Sequence, residues 1–203
     1  MWATPIAVAL LCAVLELGGE PLRALLAWDR GLIGAGQWWR LLTGNFVHLG
    51  PYHLLLNVLG LLVLVLLCPQ RLSAWRWLLR LLVLGLAVGL GLLLFAPQWQ
   101  RYVGLSGVLH GLFLLGLVPQ LRRGDRIALV ALLYLFGKLA WEMWSGVPVS
   151  DERALGGRVV LESHLFGTLG ALVYGLAFEF FISPQQPPAA SMPQRPQGTS
   201  DSP

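Results

Sequence analysis

The stretch GLSGVLHGLFLLGLVP, residues 104–119, begins with glycines, a serine and a histidine and continues as a run rich in leucine. Such a run predicts a helix in lipid, but from Ser106 to Pro119 it rises only ~20 Å, against ~30 Å for the hydrocarbon core. Its polar start is therefore expected below the membrane surface. There Ser106 is predicted to cap the helix, beside free backbone N–H groups that favour an anion.

The composition of the chain indicates a lipid environment. Of 203 residues, 56% are hydrophobic and 12% are charged, and the mean hydropathy is +0.68. Soluble proteins lie far from these values. Two cysteines, Cys12 and Cys68, are too few for a disulfide framework or a cysteine metal site. The net charge of +4 comes from arginines scattered through short loops, which excludes a basic face for nucleic acid.

Six apolar runs predict an all-α membrane protein, a bundle of six transmembrane helices with a shortened fourth helix. The predicted spans are 2–19, 50–68, 76–96, 105–119, 127–145 and 162–182. Together they predict one membrane domain over residues 1–182. Residues 183–203 are rich in Pro, Gln and Ser and are predicted to form a disordered cytoplasmic tail.

Two connections carry further expectations. The long first loop, residues 20–48, holds three tryptophans among apolar residues and is predicted to lie at the membrane interface as an amphipathic hairpin. The loop 98–105 must descend to the start of the fourth helix, and it is expected to do so as irregular backbone.

Basic residues set the predicted orientation. Two tight connections, after the second and after the fourth span, carry the arginines Arg71, Arg76, Arg80, Arg122, Arg123 and Arg126. With Arg195 the inner side holds seven arginines against six opposite, and compact loops weigh most in the positive-inside rule. Both termini are therefore predicted in the cytoplasm.

Polar residues gather at the starts of the second, fourth and sixth spans, which the six-span arrangement places on one side. They are His48, His53, Asn57, Ser106, His110 and His164. Polar side chains in a membrane are costly and usually face the bundle interior or a wet cavity. A serine at a helix start below the membrane surface lies beside free backbone N–H donors. Such a position can combine a nucleophile with an oxyanion site.

The general base is expected to come from another helix. His164 can approach the Ser106 hydroxyl laterally, whereas His110 lies one turn along the same helix and is predicted to pack against the pair. Gly167 and Ala171 keep one face of the last helix small, so that it can approach the fourth closely. Lys138 and Glu142, at i, i+4 spacing, favour a structural ion pair.

These motifs resemble the rhomboid family of intramembrane serine proteases over residues 36–182. WWRLLTGNFVHL (38–49) is similar to the Trp-Arg segment and first histidine of that family. HLLLN (53–57) matches its His-x-x-x-Asn, GLSG (104–107) its Gly-x-Ser-Gly and HLFG (164–167) its His-x-x-Gly. The four matches occur in the family's order, on suitable helices.

The resemblance implies a dyad of Ser106 and His164. His53, Asn57 and the backbone N–H of Ser106 would hold the oxyanion, and Arg40 and His48 would brace the first loop. Gly104, Gly107, Gly167 and His110 would support the dyad. The fifth helix, with Trp141 and Trp144, resembles the lateral gate for a substrate helix. No cofactor or metal is implied.

Two departures from the family pattern stand out: His110 replaces a tyrosine, and Ala171 replaces the second glycine of the last helix. The short six-helix form, with NFVHL and GLSGVLHG, is more narrowly similar to the rhombosortase subgroup. That similarity implies substrates ending in a Gly-Gly motif, a transmembrane helix and a basic tail. It also implies a bacterial inner membrane, with the active site opening to the periplasm.

Two other classes of protein remain possible from the residues. His48, His53, His110 and His164 are a candidate ligand set for a metal or haem, since imidazole suits such metals, although His-Glu-x-x-His is absent from the sequence. The second class is a non-enzymatic membrane chaperone or transporter. The sequence shows no internal repeat of the kind that transporters often carry.

Overall fold

The computed structural model describes residues 2–180, and helices dominate that part of the chain. The predicted tail lies outside it. The elements are, in chain order, α1 (Ala3–Leu17), α2 (Gly19–Leu26), β1 (Trp28–Asp29), α3 (Arg30–Gly34), α4 (Arg40–Thr43), α5 (Pro51–Leu67), α6 (Ala74–Phe95), β2 (Arg101–Tyr102), α7 (Ser106–Leu121), α8 (Arg126–Ser145), α9 (Glu152–Leu155) and α10 (Leu161–Phe178).

The long apolar helices α1, α5, α6, α7, α8 and α10 lie within a few residues of the six predicted spans. Three of them, α6, α8 and α10, are long and apolar enough to cross a membrane. α1 and α2, bent by 116°, pass the same test only as a pair, and α5 and α7 are shorter apolar helices. A helical membrane bundle follows, and the count of six spans stays a prediction.

The fourth long helix, α7, is among the shorter apolar helices, and a shortened fourth span stays a prediction. It has 16 residues, continuing through Pro119 to Leu121, and α5 has 17. At 1.5 Å per residue α7 rises about 24 Å. The helix thus ends within two residues of the predicted span, with Pro119 inside its last turn.

The first loop is not a hairpin. It contains the short helices α2, α3 and α4, and β1 pairs antiparallel with the distant β2, Trp28 opposite Tyr102. Trp28 is fully buried and its indole N–H donates to the carbonyl of Gly89 at 3.0 Å. The prediction of interfacial tryptophans is therefore wrong for Trp28, whereas Trp38 and Trp39 are exposed.

Two arginines of this loop cap helix ends, and one of them, Arg30, ties the loop to the bundle. Arg30 donates to the carbonyls of Leu92, Leu93 and Ala96 at the end of α6. Arg40 donates to the carbonyls of Ala24 and Ala27 at the end of α2, at 2.9 and 2.7 Å. The last carbonyls of a helix lack partners within it, so each arginine satisfies groups that lipid could not.

Small residues bring α7 and α10 into backbone contact. A Cβ built on Gly167 would lie 1.9 Å from the carbonyl oxygen of Gly107, and one built on Gly107 would lie 2.7 Å from that of Ser163. Ala171 is fully buried. Side chains larger than hydrogen at these two glycines would separate the helices, and that separation would move apart whatever they carry at their starts.

Several charged residues occupy places that the sequence did not indicate. Arg76 and Arg80 lie within α6 rather than in the preceding loop, which weakens the charge count behind the orientation. Arg80 is buried and forms an ion pair with Glu179. Glu16 lies 3.5 Å from Arg23. Both glutamates, which have no evident partner in the sequence, thus pair with arginines.

Candidate active site

Ser106 and His164 meet between the starts of α7 and α10. Ser106 is the first residue of α7, and its Oγ lies 3.0 Å from Nε2 of His164, which lies in the first turn of α10. The expected cap is wrong: Leu105 is the N-cap, and it forms no side-chain hydrogen bond. The Ser106 hydroxyl is therefore directed to an imidazole, and the free N–H groups of the first turn remain available to an anion.

His110 stacks on His164, as the sequence predicts. The ring centroids are 4.1 Å apart and the planes differ by 15°. Nδ1 of His110 lies 2.7 Å from the carbonyl oxygen of Ser106, and its Nε2 lies 3.1 Å from Nζ of Lys138. Since an ammonium only donates, Nε2 accepts and Nδ1 carries the proton. These bonds fix the ring against the residue that bears the hydroxyl.

Glu142 is the site residue that sequence reasoning missed. Its Oε1 accepts from Lys138 at 2.6 Å, the ion pair that the spacing predicts. Its Oε2 lies 2.8 Å from Nδ1 of His164. The i, i+4 pattern accounts for the first contact only, because the second joins two helices whose relative rotation no local pattern gives.

His53 and Asn57, from α5, face Ser106 across a largely apolar cavity of about 470 Å³. Nδ1 of His53 accepts from the Leu49 N–H at 3.3 Å, so its Nε2 bears a proton. Nδ2 of Asn57 donates one hydrogen to the carbonyl of His53 at 2.9 Å and keeps a second. Further walls are formed by Leu56, Val63, Leu109, Phe113, Tyr134, Leu135 and Lys138.

The lack of a side chain at Gly104 leaves room for the ring of His53. The φ of Gly104 is +126°, a conformation that side chains rarely adopt, and a Cβ there would lie 2.6 Å from Cε1 of His53. Its N–H donates to the carbonyl of Gly44 at 3.0 Å. The loop 98–105 is thus not wholly irregular, because β2 holds it to β1 before the turn at Gly104.

His48 and Arg40 lie outside the cavity walls. His48 is fully buried, and its ring meets that of His53 edge to face, with centroids 5.1 Å apart. Burial, together with the neighbouring His53, lowers the pKa of His48 to about 3, which keeps the ring neutral. His48 therefore supports His53 by ring packing, and Arg40 holds the first loop by its capping bonds.

The four histidines do not converge on one point. Among residues 2–180, the group whose atoms could share a metal ion is His110, Glu142 and His164, within 4.8 Å of one another. Nζ of Lys138 lies 2.6 Å from Glu142 and 3.1 Å from His110. A metal would have to displace this ammonium, so these residues fit a metal poorly.

Comparisons with known proteins give the family. The rhomboid domain family matches residues 35–179, and the chain belongs to the rhomboid family. The rhomboid protease GluP of Bacillus subtilis (strain 168) is 33% identical over 107 residues, 50% of this chain and 21% of that protein. The putative rhomboid protease YdcA of the same strain is 26% identical over 159 residues, 75% of this chain and 76% of that protein.

The predicted enzyme class, a rhomboid-type intramembrane serine protease, is confirmed by this family and these relatives, and with it an integral membrane protein. The match spans about a fifth of the length of GluP. The activity and partners of that longer protein therefore do not follow for this chain.

Proposed function

We propose that this chain cleaves membrane-anchored proteins with Ser106 as the nucleophile and His164 as the general base. The observation that carries the proposal is the 3.0 Å contact between Oγ of Ser106 and Nε2 of His164, beside a cavity that both residues line. A hydroxyl within hydrogen-bond reach of an imidazole from another helix is the arrangement that activates a serine.

The reaction follows from these atoms. Oγ of Ser106 attacks the scissile carbonyl carbon while Nε2 of His164 takes the hydroxyl proton. The tetrahedral intermediate then collapses, the C–N bond breaks, and the same proton passes to the leaving amine. Water, deprotonated by His164, hydrolyses the acyl-enzyme and releases Ser106.

His53, Asn57 and the backbone N–H of Ser106 are proposed to hold the oxyanion. No hydrogen bond within residues 2–180 uses the protonated Nε2 of His53 or the second amide hydrogen of Asn57, and both residues line the cavity with Ser106. Donors fixed before reaction stabilise charge that develops only in the transition state.

The substrate is proposed to be a helix anchored in the bilayer. The apolar cavity of about 470 Å³ lies between α5 and α8. Trp141 and Trp144, near the end of α8, are exposed and pack edge to face. The motifs NFVHL and GLSGVLHG support the finer proposal of a rhombosortase-type segment with Gly-Gly, a transmembrane helix and a basic tail.

The proposed setting is a bacterial inner membrane. Residues 1–182 would form one domain with cytoplasmic termini, and the active site would open to the periplasm. This orientation is supported by three arginines in tight loops, Arg71, Arg122 and Arg123. The metal or haem alternative is weakened by the position of Lys138 beside Glu142 and His110.

The test is cleavage by purified protein in liposomes of a substrate with a Gly-Gly motif, a helix and a basic tail. Ser106→Ala is expected to abolish cleavage and His164→Ala nearly to do so. Ser163→Ala is the matched control: this neighbouring serine is buried, but its hydroxyl donates to the carbonyl of Val160 at 2.7 Å and serves no imidazole. Wild-type cleavage by Ser106→Ala would overturn the proposal.

A further inference from the structure

Glu142 stands behind His164, on the side away from Ser106. Oε2 of Glu142 lies 2.8 Å from Nδ1 of His164, and Nε2 of the same ring lies 3.0 Å from Oγ of Ser106. Hydroxyl, imidazole and carboxylate thus form one continuous chain of hydrogen bonds across α7, α10 and α8. We propose that Glu142 is a positioning residue for His164, an inference that rests on the proposed function above.

Glu142 is buried away from the cavity in which the substrate would bind. Its side chain is 1% exposed, and it is not among the residues that line the cavity. Lys138, one turn earlier on α8, does line it. Glu142 therefore reaches the reaction only through the imidazole, and a change there is expected to alter kcat and leave KM nearly unchanged.

The carboxylate selects the tautomer that the reaction needs. A carboxylate accepts only, so Nδ1 of His164 carries the proton and Nε2 presents its lone pair to the Ser106 hydroxyl. When Nε2 takes that proton, the ring becomes a cation, and the fixed anion 2.8 Å from Nδ1 stabilises it. Glu142 keeps its charge throughout, and no proton passes to it.

Lys138 restrains the same carboxylate from the other side. Its Nζ donates to Oε1 of Glu142 at 2.6 Å, so the carboxylate is held at both oxygens. The ammonium also lies 3.4 Å from Nδ1 of His164, and His110 stacks on the ring. With Glu142 at Nδ1 and Ser106 at Nε2, these groups surround the imidazole. Lys138 gives the buried carboxylate a partner, without which its charge would be costly in lipid.

A competing role for Glu142 is that of a counter-ion for Lys138 and nothing more. The two roles differ in a double-mutant cycle, because a counter-ion is needed only while the ammonium is present. The effect of Glu142→Gln on kcat is therefore measured twice, in the wild type and in Lys138→Gln.

If Glu142 positions His164, Glu142→Gln lowers kcat by about 10²–10⁴-fold in both backgrounds, by comparison with Asp-to-Asn changes in soluble serine proteases. KM changes by less than about threefold. A kcat near wild type in Glu142→Gln, or a loss that disappears in Lys138→Gln, would overturn the inference. Loss in Ser106→Ala and His164→Ala beside an unaffected Glu142→Gln would contradict this inference alone, whereas an active Ser106→Ala contradicts the proposed function.

A second measurement reads the tautomer in the wild-type protein, and variants serve only to assign its signals. The chain has 4 histidines, so ¹⁵N-histidine spectra in lipid bilayers can be assigned with His48→Phe, His110→Phe and His164→Phe. His164 is expected to carry its proton on Nδ1, hydrogen-bonded to a carboxylate, with Nε2 bare. A proton on Nε2 of neutral His164 would contradict the inference.

Discussion

Asn57 shows how one side chain serves both its helix and the cavity. One amide hydrogen is bonded to the carbonyl of His53, and the other, which has no partner in the described part of the chain, can donate to a developing oxyanion. The ring of His53 accepts from the Leu49 N–H at Nδ1 and packs against Gly104. Its Nε2–H is the second donor, one helical turn from Asn57. The two donor side chains are therefore positioned by hydrogen bonds to the backbone, for which lipid does not compete.

Replacing Asn57 by Ala is expected to lower kcat by about 10²–10³-fold, roughly 3–4 kcal/mol, because one oxyanion donor is lost. KM should change little, since the oxyanion exists only after attack. Steady-state cleavage in liposomes measures both constants. Leu59→Ala, on the exposed face of α5, is the control. An unchanged kcat in Asn57→Ala would exclude Asn57 from the oxyanion site.

His48 predicts a dependence of stability on pH. Burial lowers its pKa from 6.5 to about 3 in the folded protein. The unfolded chain therefore binds this proton first, so the stabilisation is complete above pH 6.5 and falls as pH drops toward 3, by up to about 1.4 kcal/mol per pH unit. Thermal unfolding in detergent between pH 7.5 and 5 should show a smaller loss for His48→Phe than for the wild type. Equal losses would contradict the assignment.

At the scale of helices, the contact between α7 and α10 sets the distance between Ser106 and His164. The two helices meet through Gly107 and Gly167, whose backbones leave no room for a Cβ. Side chains on either helix start can then meet at hydrogen-bond distance. The third helix of the site, α8, contributes Glu142 and Lys138 and forms one wall of the cavity.

Gly167→Ala is therefore expected to destabilise the protein by at least about 1–3 kcal/mol and to abolish cleavage, because the new methyl group would overlap the carbonyl of Gly107. Gly137→Ala is the matched control on α8, where nothing lies within 4 Å of the added methyl group. That change should stabilise the helix by up to about 1 kcal/mol and preserve cleavage. Thermal unfolding and cleavage rates measure both, and equal behaviour of the two variants would contradict the packing.

The sequence predicts the helices well and their contacts unevenly. Apolar runs locate α5, α6 and α8 within two residues, since periodicity and length are local properties. The pairing of Trp28 with Tyr102 and the caps formed by Arg30 join residues more than sixty positions apart, and no local pattern marks them. The contact between Glu142 and His164 is not predicted either, because it joins two helices and the spacing of Glu142 is already explained by Lys138.

At the scale of the whole molecule, the orientation in the membrane decides where cleavage occurs. The starts of α5, α7 and α10 carry the site, and the loops before α6 and α8 are proposed to face the cytoplasm. Cys12 and Cys68 are buried, so a membrane-impermeant maleimide should label the wild type poorly.

Single cysteines therefore test the orientation. Arg71→Cys is expected to react only after the membrane is opened, and Val149→Cys, in the exposed loop after α8, is expected to react in intact spheroplasts. The unmodified chain is the control for background labelling. The reverse pattern would place the site on the cytoplasmic side and contradict the proposed setting.

The central claim is that the hydroxyl of Ser106 is activated by His164 within the membrane. A fluorophosphonate, which reacts with activated serines, tests it most directly when the adduct on the purified wild-type protein is located by peptide mass spectrometry. We predict a single adduct on Ser106 that is absent from His164→Ala. Labelling at another serine, or equal labelling of Ser106 in His164→Ala, would contradict the claim.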